Sequence, residues 1–109
     1  MDSYSDLMRS VVQPIVLKLV NERSMYGYEI IKIVNQRTRN QFQWKEGTLY
    51  PCLHRMENIR LIESKWQTTG TGRKGKYYQI TRKGKELLNL RLEQWTSFAK
   101  AINTILLTA

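Results

Sequence analysis

Ile62-Glu63-Ser64-Lys65-Trp66-Gln67-Thr68-Thr69-Gly70-Thr71-Gly72-Arg73-Lys74-Gly75-Lys76-Tyr77-Tyr78-Gln79-Ile80 is the stretch on which the fold turns. Ile62, Ser64 and Trp66 alternate with Glu63, Lys65 and Gln67, and Tyr78 and Ile80 alternate with Tyr77 and Gln79. A period of two on both flanks of a Gly-rich segment, Thr69–Gly75, predicts a β-hairpin. The hairpin is basic. No acid occurs between Glu63 and Glu86, while the same window holds Lys65, Arg73, Lys74, Lys76, Arg82, Lys83 and Lys85. The spacing therefore predicts one unopposed basic surface running from the hairpin tip to the segment after it.

Upstream, the period lengthens to that of a helix. Val11, Val12, Ile15, Val16, Leu19 and Val20 recur at helical spacing, with Ser10 as the expected N-cap and Pro14 confined to the first turn. Ser24–Gly27 reads as a break. Tyr28, Ile31 and Val34, with Ile30 and Ile33 beside them, mark a short second helix. Residues 37–45 are polar apart from Phe42 and Trp44 and read as a loop or a short strand. A third helix is expected from Gly47 or Thr48, with Thr48 as cap and Pro51 in the first turn. At 100° per residue, Leu49, Cys52, Leu53, Met56 and Ile59 share its inner side. Pro51, His54 and Asn58 lie opposite, with Tyr50 and Arg55 on the flanks.

Downstream, Thr81 is a good N-cap, and from Arg82 to about Leu107 the chain has no Pro and a single Gly, Gly84. This is a fourth helix of roughly 26 residues, about 39 Å long. Leu88, Leu92, Trp95, Ala99, Ile102 and Leu106 follow one another at 4, 3, 4, 3 and 4 residues, a heptad seam. Leu87, Phe98, Ala101 and Ile105 widen it. The rest of the chain is too small to cover both stripes, so a second copy is the expected cover.

Three helices, a β-hairpin and a long helix give a mainly α protein with a small β-hairpin: a winged helix-turn-helix followed by a C-terminal dimerisation helix. Residues 1–81 are expected to form the DNA-binding region and 82–109 the dimerisation helix, within one compact domain overall. The charge balance agrees: 18 Lys and Arg against 9 Asp and Glu give +9 over 109 residues, which suits a polyanionic partner. A lone cysteine, Cys52, cannot form an internal disulfide, and with a lone histidine, His54, it offers no metal ligand set. No cofactor is expected. The N-terminus MDSYSDLMRS is polar and acid-containing, unlike a secretory signal, and no apolar run approaches a membrane span. A reducing cytoplasm is the expected location. Enzymatic chemistry is not expected, because no carboxylate pair, nucleophile with base, or phosphate loop is recognisable.

The residue types place the expected chemistry on nucleic acid. A helix fits the major groove and lets exposed polar side chains reach base edges, while a basic hairpin lies along phosphates or the minor groove. Thr48, Tyr50, His54, Arg55 and Asn58 are the candidate DNA face of the third helix, with Lys45 just before it. Arg73, Lys74 and Lys76 are the candidate phosphate contacts of the hairpin. Arg82, Lys83 and Lys85 are weaker candidates, since cations in a first turn oppose the helix dipole. Two fourth helices crossing near Trp95 would form a flat aromatic pocket, lined also by Phe98 and Ala99, for a planar ligand.

Several segments, taken in order, resemble the PadR-like transcriptional regulators: Tyr26-Gly27-Tyr28-Glu29-Ile30; Glu46-Gly47-Thr48-Leu49-Tyr50-Pro51 followed by Leu53, Arg55, Met56 and Glu57; Leu61-Ile62-Glu63-Ser64; Gly72-Arg73-Lys74 with Lys76-Tyr77-Tyr78; and Thr81 with Gly84. The resemblance covers about residues 11–90 and fits the short branch of the family, which dimerises through one C-terminal helix. It implies a homodimeric repressor on a near-palindromic double-stranded operator, released by a small aromatic or hydrophobic effector. Carried over by position, it implies DNA contacts at Tyr50, Arg73, Lys74 and Lys76, and ligand stacking at Trp95. Two departures stand out. Arg60 occupies a turn where the family usually has Gly, so a positive φ there would carry strain. Gly75 interrupts the basic run and is expected to loosen the tip. The rival reading is a winged-helix protein-interaction or non-specific nucleic-acid-binding module.

Overall fold

The computed structural model describes residues 7–108. The polar stretch up to Asp6, part of the N-terminus read above, lies outside them. After a helical turn at residues 7–9, the elements are α1 (Val12–Glu22), β1 (Met25–Tyr26), α2 (Gly27–Arg37), α3 (Glu46–Asn58), β2 (Ile62–Thr68), β3 (Lys74–Ile80) and α4 (Arg82–Leu106). The expected break at Ser24–Gly27 contains a two-residue strand. β1 pairs antiparallel with β3 (Met25↔Tyr78, Tyr26↔Tyr77), making a three-stranded sheet of order β1-β3-β2. So short a strand has no alternation to read; only the available edge of β3 creates it.

The core lies under the sheet and between α1, α2 and α3. Val16, Leu17, Ile30, Leu49, Leu53, Met56, Leu61 and Ile62 are buried, as is the Cys52 thiol, whose pKa burial pushes up. Ile59, expected on the inner side of α3, is instead 49% exposed, because it is the C-cap residue where the helix leaves the core. Trp44, in the segment expected to be a loop or strand, is 3% exposed and anchors an irregular loop. Asn35 holds it from both sides: its Oδ1 accepts the Trp44 N–H at 2.8 Å and its Nδ2 donates to the Trp44 carbonyl at 3.1 Å. A side chain that imitates a backbone strand satisfies groups that a loop would otherwise bury unpaired.

Helix starts depart from expectation in two places. Val11, not Ser10, is the N-cap of α1, without a side-chain cap; the Ser10 hydroxyl donates to the Leu7 carbonyl. Helix α3 begins at Glu46 with Lys45 as N-cap, so Thr48 lies inside it and caps nothing. Helices α2 and α3 both end with an arginine in the left-handed region, Arg39 at φ 52° and Arg60 at φ 63°. After α3 the Arg60 N–H bonds the Glu57 carbonyl and the Leu61 N–H the Met56 carbonyl, the pair of bonds usually closed around glycine.

The start of α4 is tied to the end of α3. Thr81 is the N-cap, as expected, and accepts the Gly84 N–H at 3.0 Å. Its hydroxyl donates to the Arg60 carbonyl at 2.7 Å, and its N–H bonds the Leu61 carbonyl. Lys83 Nζ donates to the Ile59 carbonyl at 2.8 Å. Gly84 is required: a Cβ there would stand 2.2 Å from the Leu61 carbonyl oxygen. Helix α4 has 25 residues and hence a length of about 37 Å. The radius of gyration is 15.4 Å, above the roughly 13 Å of a compact chain this size. The excess comes from α4, which packs on α1 at its start and then runs beyond the core.

Candidate nucleic-acid interface

Helix α3 is buried along Leu49, Cys52, Leu53 and Met56, and this fixes which side chains look outward. The candidates separate into three groups. His54 and Asn58 share an exposed outward row with Pro51. Thr48 and Arg55, also exposed, lie on one flank and border a polar groove of about 1100 Å³ against the start of α1, with Gln13, Gln43 and Arg91 on its other walls. Tyr50 is on the opposite flank, half-buried, with its ring laid over Gly27 so closely that a Cβ there would come within 2.5 Å of it. Burial, then the neighbouring Glu46 carboxylate, raise the Tyr50 pKa, so its hydroxyl keeps its proton and can donate. Lys45 is exposed at the N-cap of the same helix.

The wing is the β2–β3 hairpin, in register from Ile62↔Ile80 to Thr68↔Lys74. Gly72, at φ +83°, turns the tip. Gly75 lies against the Thr69 side chain, where a Cβ would approach the methyl to 2.7 Å. Arg73 and Lys74 are exposed at the tip and make no ion pair among the described residues.

The unopposed basic surface expected from the sequence is opposed in part in the fold. Lys76 Nζ lies 3.0 Å from Glu57 Oε1, an acid delivered from α3. Glu57 also accepts the Ser64 hydroxyl. These bonds, that from Ser64 foremost, lower the Glu57 pKa, and the Glu57 carboxylate raises that of Lys76. Arg82 approaches Glu86 at 3.7 Å, and Lys83 is committed to the Ile59 carbonyl. Among these cations, Arg73, Lys74, Lys65 and Lys85 make neither an ion pair nor a side-chain hydrogen bond among the described residues.

On α4, the seam residues divide by depth. Leu88 is 3% exposed and belongs to the chain's own core, so it is not available to a second copy as the seam expectation had it. The reason is positional: α4 is still over α1 at that turn. Ala99 and Ile102 are half-buried, while Leu92, Trp95, Phe98 and Leu106 are exposed. Trp95 and Phe98 form one wall of an apolar groove of about 840 Å³, with Ile15 and Leu19 of α1 and Phe42 on the other walls; Ala99 does not line it. No described helix is long and apolar enough to cross a membrane, and the described residues hold no group of three or more His, Cys, Asp or Glu placed for a metal ion.

Three helices, a two-stranded wing with cations at its tip, and an outward polar row on the helix beside it define a winged helix-turn-helix protein. A family model, the transcriptional regulator PadR-like family, matches residues 16–90. An uncharacterized protein of Lysinibacillus sphaericus is 38% identical over 99 residues, 91% of each chain. Among solved structures, a transcriptional regulator from Clostridium thermocellum superposes with TM-score 0.84 at 34% identity, covering 93% of this chain and 98% of that one. A PadR-like transcriptional regulator from Bacillus cereus superposes with TM-score 0.85 at 30% identity, covering 95% and 99%. The chain belongs to the PadR-like family and is a DNA-binding transcription regulator, not an enzyme.

Proposed function

We propose that this regulator is a cytoplasmic homodimeric repressor whose two α3 helices enter successive major grooves of a near-palindromic operator. The observation that carries the reading is the exposed outward row of α3 beside a wing tip whose cations have no acidic partner among the described residues. His54 and Asn58 reach base edges, Lys45, Thr48 and Arg55 flank them, and Tyr50, Arg73 and Lys74 hold phosphates. The support for dimerisation is α4: Leu92 is 43%, Trp95 57%, Phe98 60% and Leu106 71% exposed, an apolar row that a single chain leaves in water. Two copies joined along it place two wings on one duplex.

A small aromatic effector enters the groove at Trp95 and Phe98 and changes the separation of the wings. The support is the groove's apolar lining and its place beside the proposed dimer seam. Trp95→Ala should lower both effector affinity and release from DNA; unchanged response in that variant defeats this part of the reading.

The test is fluorescence anisotropy with the duplex upstream of the protein's own gene and a scrambled duplex, across a salt series. Specific binding should exceed the scrambled duplex by about a thousandfold or more, and both should weaken steeply with salt. Equal binding to both duplexes favours the non-specific nucleic-acid-binding module. Absence of binding at low salt favours a protein-interaction module.

A further inference from the structure

We propose that Glu57 is a latch that sets the angle of the wing against the DNA-reading helix, and that Lys76 is a positioning residue of that latch, not a phosphate contact. The inference rests on the DNA-binding reading and refines it. Glu57 is the penultimate residue of α3. Its two carboxylate oxygens are used separately, one for each strand of the wing: Oε2 accepts the Ser64 hydroxyl of β2, and Oε1 accepts the Lys76 ammonium of β3 at 3.0 Å. Ser64 pairs with Tyr78 across the hairpin, and Lys76, two residues before Tyr78 and so on the same face, stands 5.7 Å from the Tyr78 ring centroid. The wing face turned toward α3 is thereby hooked at both strands to a single side chain of α3.

The hairpin is otherwise held at its base, where Ile62 and Ile80 pair, and on the outer edge of β3, where β1 pairs with Tyr77 and Tyr78. Ser64 and Lys76 add an attachment to α3, and Lys76 carries it one residue beyond β1 toward the tip. Charge argues the same way. Were Lys76 to turn to a phosphate, it would leave the Glu57 carboxylate uncompensated beside a polyanion. Kept together, the pair is neutral toward DNA, and counterion release falls to Arg73 and Lys74 beyond it. Glu57 also lies close enough to His54 for the two to interact electrostatically, so the latch sits next to the outward reading row.

Anisotropy with the upstream duplex separates the roles. Arg73→Met and Lys74→Met should each make the slope of log affinity against log salt shallower by about 0.9. Lys76→Met should leave the slope at the wild-type value, because Arg73 and Lys74 still reach phosphates, weaken binding about tenfold at every salt concentration because the wing is no longer held in place, and blur the hydroxyl-radical footprint of the wing without abolishing it while sparing that of α3. Lys76→Arg should restore both. Ser64→Ala, which changes no charge, should loosen the wing in the same way and keeps the test open if Lys76→Met folds poorly. A Lys76→Met slope shallower by about one unit makes Lys76 a phosphate contact and overturns the latch. Unchanged affinity and footprint in both Lys76→Met and Ser64→Ala overturn it too. Failure of the wild type to bind either duplex is a separate result, and it overturns the DNA reading itself.

Discussion

Two glycines in the first turns of two helices should answer the same substitution with opposite signs. A Cβ at Gly84 would stand 2.2 Å from the Leu61 carbonyl oxygen and 2.8 Å from Ile80 Cγ1, so α4 must move away from the end of α3 by about 1 Å to reach even a tight contact. That shift breaks the bonds joining the two helices, from Thr81 to the Arg60 and Leu61 carbonyls and from Lys83 to Ile59. Overpacking costs about 1–3 kcal/mol and each lost bond about 1 kcal/mol, against a helix-propensity gain of about 1 kcal/mol for alanine. Gly84→Ala should therefore lose about 3–5 kcal/mol, which lowers Tm by roughly 12–40 °C for a domain of this size. Gly47 has nothing within 4 Å of its would-be Cβ. Gly47→Ala should only gain, by up to about 1 kcal/mol. Urea denaturation followed by far-UV circular dichroism, at one protein concentration, reads both. If Gly84→Ala unfolds at the same urea concentration as Gly47→Ala, the tight junction between α3 and α4 is not what holds them.

Arg60→Gly should stabilise the protein by about 0.5–1 kcal/mol in the same assay: it removes a left-handed penalty of about 1–2 kcal/mol and adds unfolded-chain entropy of about 0.5–1 kcal/mol. Asn35→Ala removes both hydrogen bonds to the Trp44 backbone and should cost about 2–3 kcal/mol, visible also as a red shift of tryptophan emission if the loop opens. The Glu57 pKa lies below its usual 4.5 in the folded state, chiefly through the Ser64 bond and then Lys76. Its contribution is therefore fully present above the unfolded value and lost as pH falls through the lower, folded one. Urea midpoints should fall from about pH 5 downward, and Glu57→Gln should flatten that part of the profile. A variant profile parallel to the wild type would remove Glu57 from the account.

Much of the architecture was legible because it is periodic. The spacing of Val12, Val16, Leu19 and Val20 is the buried side of α1, and the alternation from Ile62 to Gln67 and from Tyr77 to Ile80 lies in the two wing strands, although β3 starts earlier, at Lys74, inside the segment expected to be the turn. Thr81 and the absence of breakers set α4 to within a residue of its observed end at Leu106. The outward row of α3 followed from the same arithmetic. What escaped had no period to give it away. Strand β1 is two residues long, and Trp44 looked like part of a polar loop until Asn35 was seen to hold it.

The candidate site divides along the same line. That the chain carries a basic wing beside a helix with exposed polar side chains is a local property, written in composition and in repeats of two and 3.6 residues, and the sequence alone determines it. Which cations remain available to a ligand is not local. Glu57 and Lys76 are 19 residues apart, and only the packing of α3 on the wing brings them to 3.0 Å. Leu88 and Leu92 occupy the same seam in sequence, yet the first is buried over α1 and the second is left in water. Side-chain periodicity follows from the geometry of one backbone, whereas the pairing of charges and the covering of apolar rows depend on where separate elements come to rest, and that the tertiary structure alone decided.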